Sequence, residues 1–259
     1  MNLDYIECND CVAGMRSLPD ECIDLTVTSP PYDNLRKYNG FSWDFEAVAK
    51  ELYRITKTGG VVVWVVGDAT VKGSETGTSF KQALFFKECG FNLHDTMIWK
   101  KMSPFQHKNR YISSFEYMFV FAKGKPKTTN LIEDRKNKYG GDKIAGTQRN
   151  ADGTLKILSG AKNGRKIKEY GLRENVWEMP NQKNNKTGHP AVFPEQLVVD
   201  HILSWSNPDD IVLDPFMGSG TTAVAAIKTN RHFIGFELSE EYCEIAEKRM
   251  NDIEIEEVM

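Results

Sequence analysis

A glycine-rich run, Asp214-Pro215-Phe216-Met217-Gly218-Ser219-Gly220-Thr221-Thr222, follows the apolar segment Ile211-Val212-Leu213. The segment predicts a short buried strand, and a helical pattern begins near Thr221. Glycines let a backbone approach a ligand closely, and the first turn of a helix offers unpaired N–H groups. No Lys-Ser or Lys-Thr pair follows the glycines, so the run is not a P-loop, and the carboxylate of Asp214 suits a cationic ligand. The run predicts a cofactor cradle, with a tight strand-to-helix turn as the alternative.

An acidic residue, Glu237, ends the next predicted strand, about 20 residues after the glycines. At this spacing a carboxylate can accept hydrogen bonds from both hydroxyls of a ribose. Glu237 therefore predicts a nucleoside cofactor, and an ordinary surface carboxylate is the alternative.

Segments typical of strands and of helices alternate over most of the chain. Apolar, β-branched runs predict strands at Tyr5 to Glu7, Ile23 to Thr28, Val61 to Val66, Thr96 to Trp99, Tyr117 to Ala122, Ile211 to Leu213 and His232 to Phe236. Helical spacing predicts helices at Phe45 to Thr56, Ser79 to Glu88, Pro194 to Trp205, Thr221 to Thr229 and Glu240 to Met250. The alternation predicts an α/β fold with a mostly parallel, seven-stranded sheet covered by helices on both faces.

The alternation stops between Lys123 and His189, where Lys, Asn, Gly and Thr dominate. From Lys123 to Lys186, sixteen Lys and Arg stand against seven Asp and Glu, although the whole chain has a net charge of −3. Such a basic insertion is typical of a surface that contacts a phosphate backbone, and a solvated loop is the alternative. A second basic cluster, Lys100-Lys101 with His107 to Arg110, is predicted to lie on a loop. It contacts the backbone of a nucleic acid or fills the space left by an extruded base, and a solvated loop is the alternative.

A proline-rich turn, Ser29-Pro30-Pro31-Tyr32, follows the predicted strand that ends at Thr28. Its prolines have no N–H, so nearby carbonyls stay available to accept hydrogen bonds. The Ser29 hydroxyl and the Pro30 carbonyl can accept the hydrogens of a nucleobase amine and thereby raise the nucleophilicity of its nitrogen. Tyr32 offers a flat face on which an extruded base stacks. An ordinary proline-rich turn is the alternative.

The composition, with 40% hydrophobic and 27% charged residues, is that of a globular protein. No apolar run approaches the roughly 18 residues of a membrane helix, and the start lacks a signal peptide, so a cytoplasmic location without membrane contact is expected. Five cysteines predict free thiols. Cys8-Asn9-Asp10-Cys11 lacks the second ligand pair of a zinc site, so we expect two buried or half-buried thiols and no bound metal.

Together, the two turns resemble those of the DNA amino-methyltransferases that act on cytosine N4 or adenine N6, in the permuted, beta-type order in which the catalytic motif precedes the cofactor motif. The resemblance covers most of the chain outside Lys123 to Lys186. It implies a Rossmann-like class I methyltransferase fold, S-adenosylmethionine as cofactor and double-stranded DNA as substrate, with association with the nucleoid. It also implies that the target base is flipped out and that its amine attacks the methyl group without a covalent enzyme intermediate.

The resemblance implies roles for individual residues. The catalytic residues would be Ser29, Pro30, Pro31 and Tyr32. The cofactor pocket would be formed by Asp10, Phe193, Asp214, Phe216, Gly218, Gly220, Thr221 and Glu237. Residues 1–122 would be the catalytic half of the methyltransferase domain, 188–259 the cofactor-binding half, and 123–187 a target-recognition insertion. Within that insertion, Arg149, Asn150, Arg165 and Arg173 have the donors needed for base edges and phosphates.

The target base is indicated by a single position of the catalytic motif, and the partners are open. In the family, Ser at the first motif position, here Ser29, favours cytosine N4, and adenine N6 is the alternative. The order of the motifs argues against methylation of RNA or of a protein amide. A non-catalytic, methyltransferase-like subunit that only binds DNA is an alternative of another class. A cognate restriction endonuclease is a candidate partner, and both a monomer and a dimer are compatible with the sequence.

Overall fold

The structure is a computed structural model that describes residues 1–31, 43–105, 108–180 and 194–258, with only the backbone of residues 102–105 and 254–258. The chain forms two compact units. The larger unit comprises Met1–Asn130 and Asn175–Met259, and the smaller unit is Leu131–Glu174.

The elements are numbered in chain order. The strands are β1 (Tyr5–Cys8), β2 (Ile23–Thr28), β3 (Thr56–Val66), β4 (Thr70–Val71), β5 (Ser74–Glu75), β6 (Asn92–Phe105), β7 (Ser113–Ala122), β8 (Arg135–Lys136), β9 (Thr147–Arg149), β10 (Leu155–Ile157), β11 (Tyr170–Gly171), β12 (Val176–Met179), β13 (Ile211–Asp214) and β14 (His232–Glu237). The helices are α1 (Cys11–Ser17), α2 (Phe45–Ile55), α3 (Thr78–Glu88), α4 (Ser159–Lys162), α5 (Glu195–Trp205), α6 (Thr221–Lys228) and α7 (Glu240–Val258).

Among the described residues, eight strands of the larger unit form one sheet in the order β1-β14-β13-β2-β3-β7-β6-β12. The neighbours are parallel except for β7, which is antiparallel to both β3 and β6. The α/β class and the mostly parallel sheet are therefore confirmed. The predicted number of seven strands is too low, because β12 adds to the sheet edge with Val176 paired to Ile98.

Both faces of the sheet are covered, as the sequence predicted. Alternate side chains of β3 enter opposite cores, which explains its continuous apolar run. Val63 lies in the core formed with α5 and α6, whereas Trp64 lies in the core formed with α1, α2 and α3. All five predicted helices are present, and α7 extends past its predicted end at Met250. Of the described helices, none is long and apolar enough to cross a membrane.

The strand order reverses between β13 and β2. From β2 the chain continues to β3 on one side, whereas from β13 it continues to β14 on the other. In open α/β sheets, ligands bind at the carboxyl ends of the strands that flank such a switch point. The two ends here are Thr28 and Asp214, so both predicted functional turns begin at this place.

The smaller unit contains two antiparallel strand pairs, β8 with β11 and β9 with β10, together with the short helix α4. All six residues of the β9–β10 pair are exposed. The ends of this unit are joined by ion pairs: Lys168 to Glu133 at 2.8 Å and Arg173 to Asp134 at 2.5 Å.

Candidate active site

The switch point is built around the carboxylate of Asp214. Backbone pairing between β2 and β13 covers Leu25 with Val212 and Thr26 with Leu213. Beyond it, the Thr28 hydroxyl donates to Asp214 Oδ1 at 2.6 Å and the Thr222 hydroxyl donates to Oδ2 at 2.6 Å. The Phe216 N–H also donates to Oδ1, at 3.0 Å.

This carboxylate lies inside the protein. Asp214 is only 1% exposed, and its oxygens accept three hydrogen bonds from the protein. Burial raises the pKa of Asp214 to about 6, and the hydrogen bonds from Thr222, Thr28 and the Phe216 N–H act in the opposite direction. Direct contact between Asp214 and a cationic ligand stays a prediction, which this burial does not support.

The glycine turn has the backbone that its sequence requires. Gly218 has φ of 53° and Gly220 has φ of 82°, both in the left-handed region. A Cβ on Gly220 would lie 2.8 Å from the Ala246 Cβ of α7. Behind the turn, the Arg249 guanidinium donates to the Ser219 carbonyl at 2.5 Å, and its nitrogen lies 3.4 Å from the Thr221 hydroxyl oxygen. At Gly220, therefore, the close approach that excludes a side chain is that of α7.

Glu237 connects the end of β14 to this turn. Its Oε2 accepts the Gly218 N–H at 2.8 Å, and its Oε1 accepts the Ser239 N–H at 2.9 Å. The side chain is half-exposed, and a carboxylate has further lone pairs, so it retains the capacity to accept ribose hydroxyls.

Asp10 lies close to Glu237 through the ends of their strands. Cys8 pairs with Glu237 across β1 and β14, and the Asn9 N–H donates to the Glu237 carbonyl at 2.9 Å. Asp10 is exposed and caps α1, because its carboxylate accepts the Ala13 N–H at 3.0 Å. The sequence-predicted acids Asp10 and Glu237 thus sit at neighbouring strand ends.

Trp43, an aromatic residue that the sequence analysis did not single out, packs against the cofactor turn. The half-buried ring of Phe216 packs edge-on against Trp43, with ring centroids 5.0 Å apart, and against Trp64 at 6.3 Å. Trp43 stands directly before Asp44, which caps α2. The sequence signal for Trp43 was a tryptophan directly before a helix cap, and this pattern does not by itself predict a functional role.

Three of the four predicted catalytic residues are described. Ser29 and Pro31 are half-buried and Pro30 is buried, in the turn that follows Thr28. Tyr32, the fourth, lies outside the described residues, as do Phe193 of the predicted cofactor pocket and His107 of the second basic cluster. Their roles stay predictions.

The second basic cluster differs from its prediction. Lys100 and Lys101 lie in β6 and not on a loop. Lys100 pairs with Glu178 at 3.1 Å, and Lys101 pairs with the buried Glu116. These two charges are therefore balanced within the protein.

The C-x-x-C motif also differs in part. Cys11 is buried, and burial raises the pKa of its thiol to about 12. Cys8 is exposed, whereas a buried or half-buried thiol was predicted, and its Sγ lies 2.8 Å from that of Cys243. Cys8 therefore contacts α7 and not the second cysteine of its own motif.

The fold and the site define a Rossmann-like class I methyltransferase. Its α/β sheet has a glycine turn and a proline-rich turn at one switch point, and Glu237 stands at the spacing from the glycines that is typical of a ribose-binding acid. The chain belongs to the N6 and N4 methyltransferase family, described as DNA methylase, which matches residues 23–248. It is a DNA methyltransferase, and S-adenosylmethionine is its cofactor.

Three similar proteins illustrate this membership. The orphan methyltransferase M.BamHII of Bacillus amyloliquefaciens is 60% identical over 245 residues, which cover 91% of each chain. The DNA adenine methyltransferase YhdJ of Escherichia coli is 29% identical over 262 residues, covering 93% of this chain and 81% of YhdJ. The crystal structure of the M1.HpyAVI complex with S-adenosylmethionine has a TM-score of 0.64 at 25% identity, covering 95% of this chain and 98% of that one.

Proposed function

We propose that this DNA methyltransferase transfers the methyl group to the exocyclic N4 of cytosine at a specific site in double-stranded DNA. The observation that carries the proposal is the position of Ser29 and Pro30, directly after the strand end that is bonded to the cofactor turn. Ser at the first position of the catalytic motif favours cytosine. Adenine N6 is the second candidate, and the relative named a DNA adenine methyltransferase supports it.

The residues present fit the cofactor. The N-terminus of α6 and the Gly218 backbone would form the base of the cofactor pocket, and Glu237 and Asp10 would offer carboxylates to the ribose. Phe193 is a further proposed lining residue. S-adenosylmethionine supplies an electrophilic methyl group on a sulfonium cation.

In the proposed mechanism, Ser29 and Pro30 act on the amine of the flipped base. The Ser29 Oγ and the Pro30 carbonyl accept the two N–H hydrogens, which directs the nitrogen lone pair out of the base plane. Tyr32 stacks on the base and Pro31 stiffens the turn. The amine nitrogen is itself the nucleophile: it would bond to the methyl carbon as the carbon–sulfur bond breaks, a neutral thioether would leave, and one N–H proton would pass to solvent, so no covalent bond to the enzyme forms.

The target sequence is proposed to be read by the insertion 123–187, between a catalytic half, residues 1–122, and a cofactor-binding half, residues 188–259. Within the smaller unit, Arg149 lies on β9, where every residue is exposed. Arg173 is bonded to Asp134 through both Nε and Nη2, so we assign it a structural role in this unit. A two-stranded ribbon such as β9–β10 fits the major groove of DNA.

The experiment that tests the base is product analysis. The purified protein is incubated with labelled S-adenosylmethionine and mixed genomic DNA, which is then digested to nucleosides for mass spectrometry. N4-methylcytosine is the expected product, and N6-methyladenine would keep the enzyme class but overturn the base. Cofactor binding with no label in any DNA would indicate the non-catalytic alternative. The orphan name of the M.BamHII relative favours action without a cognate endonuclease, and that partner stays a prediction.

A further inference from the structure

We infer that Thr28 and Thr222 are positioning residues, which act through Asp214 to set the distance between the Ser29-Pro30-Pro31 turn and the glycine turn. The inference rests on the proposed function, because it concerns the placement of the amine acceptors relative to the methyl donor. Neither threonine touches the reacting atoms in this scheme. They hold the two turns in register.

The connection between the two turns begins where the backbone pairing of β2 with β13 ends. The last register pair between the two strands is Thr26 with Leu213, and the turns begin only after Thr28 and Asp214. From that point the strands are connected by the side-chain bond from Thr28 to Asp214, at 2.6 Å. Thr222 adds the first turn of α6 to the same carboxylate, also at 2.6 Å. One carboxylate therefore joins the catalytic strand, the cofactor turn and the cofactor helix.

Packing alone does not account for a carboxylate at this position. Thr28 and Thr222 are fully buried and Asp214 is nearly so. An apolar side chain of similar volume would fill the space without the cost of burying a charge, and replacing buried polar groups by apolar ones is often neutral or stabilising. A fully hydrogen-bonded buried network, in contrast, holds its members in one geometry. Small errors in that geometry reduce the rate of a transfer reaction strongly.

The chain offers matched variants. Thr28→Val and Thr222→Val remove a hydroxyl at nearly constant volume, whereas Thr28→Ser and Thr222→Ser keep it. Thr26→Val is the control, since Thr26 lies in the same strand, is fully buried, and its Oγ1 has no hydrogen-bond partner among the described residues.

The readouts are single-turnover methyl transfer to DNA and equilibrium binding of S-adenosylmethionine, with thermal melting as a check of folding. In Thr28→Val we expect the transfer rate constant to fall about 10- to 100-fold while cofactor affinity stays unchanged. In Thr222→Val we expect weaker cofactor binding as well. Both serine variants should recover most of the loss. The fold-loss in transfer rate of the double variant should be smaller than the product of the two single fold-losses, because both hydroxyls act through one carboxylate.

Equal transfer rates in Thr28→Val and Thr26→Val, with wild-type cofactor affinity in Thr222→Val, would overturn the inference. Equal losses in the serine and valine variants would also overturn it, since the hydroxyl would then be irrelevant. Failure of the proposed function is a separate result, because it shows in the wild-type protein as methylation of another base or of none. In that case the binding comparison of Thr222→Val with Thr222→Ser still decides the cofactor half of the link.

Discussion

The hydroxyl of Thr28 donates a 2.6 Å hydrogen bond to the carboxylate of Asp214, which lies 186 positions later in the chain. The two residues end neighbouring parallel strands, and a functional turn follows each of them at once. Because both side chains are buried, water does not compete for the bond. Two motifs that are distant in sequence thus meet through a single carboxylate.

The buried carboxyl group gives a pH dependence of stability. Burial raises the pKa of Asp214 from 3.8 to about 6, so the folded state binds this proton more tightly than the unfolded state does. The stabilisation is fully present below the unfolded pKa and is lost as pH rises through about 6. As the pH rises from below 3.8 to above about 6, we expect this group to lower the free energy of unfolding by about 2–3 kcal/mol.

Asp214→Asn isolates that contribution, because an amide does not titrate in this range. As the pH rises through the same interval, urea unfolding should show the free energy of unfolding of the wild-type protein falling relative to that of the variant. An identical pH dependence in the two proteins would mean that Asp214 titrates near its ordinary pKa.

The backbone at Gly220 predicts a large cost for any side chain. Gly220→Ala combines φ of 82° with a Cβ 2.8 Å from the Ala246 Cβ. Gly124 is a matched control, since it has the same φ of 82° and no atom within 4 Å of a Cβ. We expect Gly124→Ala to cost about 1–2 kcal/mol from backbone strain, and Gly220→Ala about 1–3 kcal/mol more from overpacking. Denaturant unfolding measures both, and equal costs would show that contact with α7 is unimportant.

The exposed arginine of the β9–β10 ribbon predicts a defect in DNA binding. Arg149→Ala should weaken binding of cognate DNA by roughly 1–3 kcal/mol, with S-adenosylmethionine affinity unchanged. Arg16→Ala is the control, because it removes the same charge from another exposed arginine, which lies on α1 and not on the ribbon. Fluorescence anisotropy at fixed salt compares the two variants. Equal effects would attribute the loss to net charge and remove Arg149 from the reading surface.

The sheet and most helices could be predicted because their signals are strong and local. Val61 to Val66 is apolar at every position, and that pattern fits a strand buried on both faces. The helix α1 escaped prediction because it has only seven residues and includes Gly14. The strand β12 escaped because its four residues stand within a polar, basic stretch, and only Trp177 among them is buried.

The sequence singles out the residues of the candidate site, whose roles stay predictions, but it does not predict all of their contacts. Gly218, Gly220 and Glu237 stand at a spacing that indicates a nucleoside pocket, and the structure brings the Gly218 N–H onto the Glu237 carboxylate. The partners of Asp214 could not be predicted, because Thr28 is close to it only through the strand order. The same holds for Lys101, since its partner Glu116 lies on the neighbouring antiparallel strand.

We propose that Ser29 activates the amine of a DNA base beside the cofactor, and single-turnover transfer of a labelled methyl group by Ser29→Ala tests this role most directly. Loss of one preorganised acceptor should lower the rate constant by about 100-fold or more. The affinity for S-adenosylmethionine, measured in parallel, should stay at the wild-type value. An unchanged rate constant in Ser29→Ala on the same DNA would contradict the account.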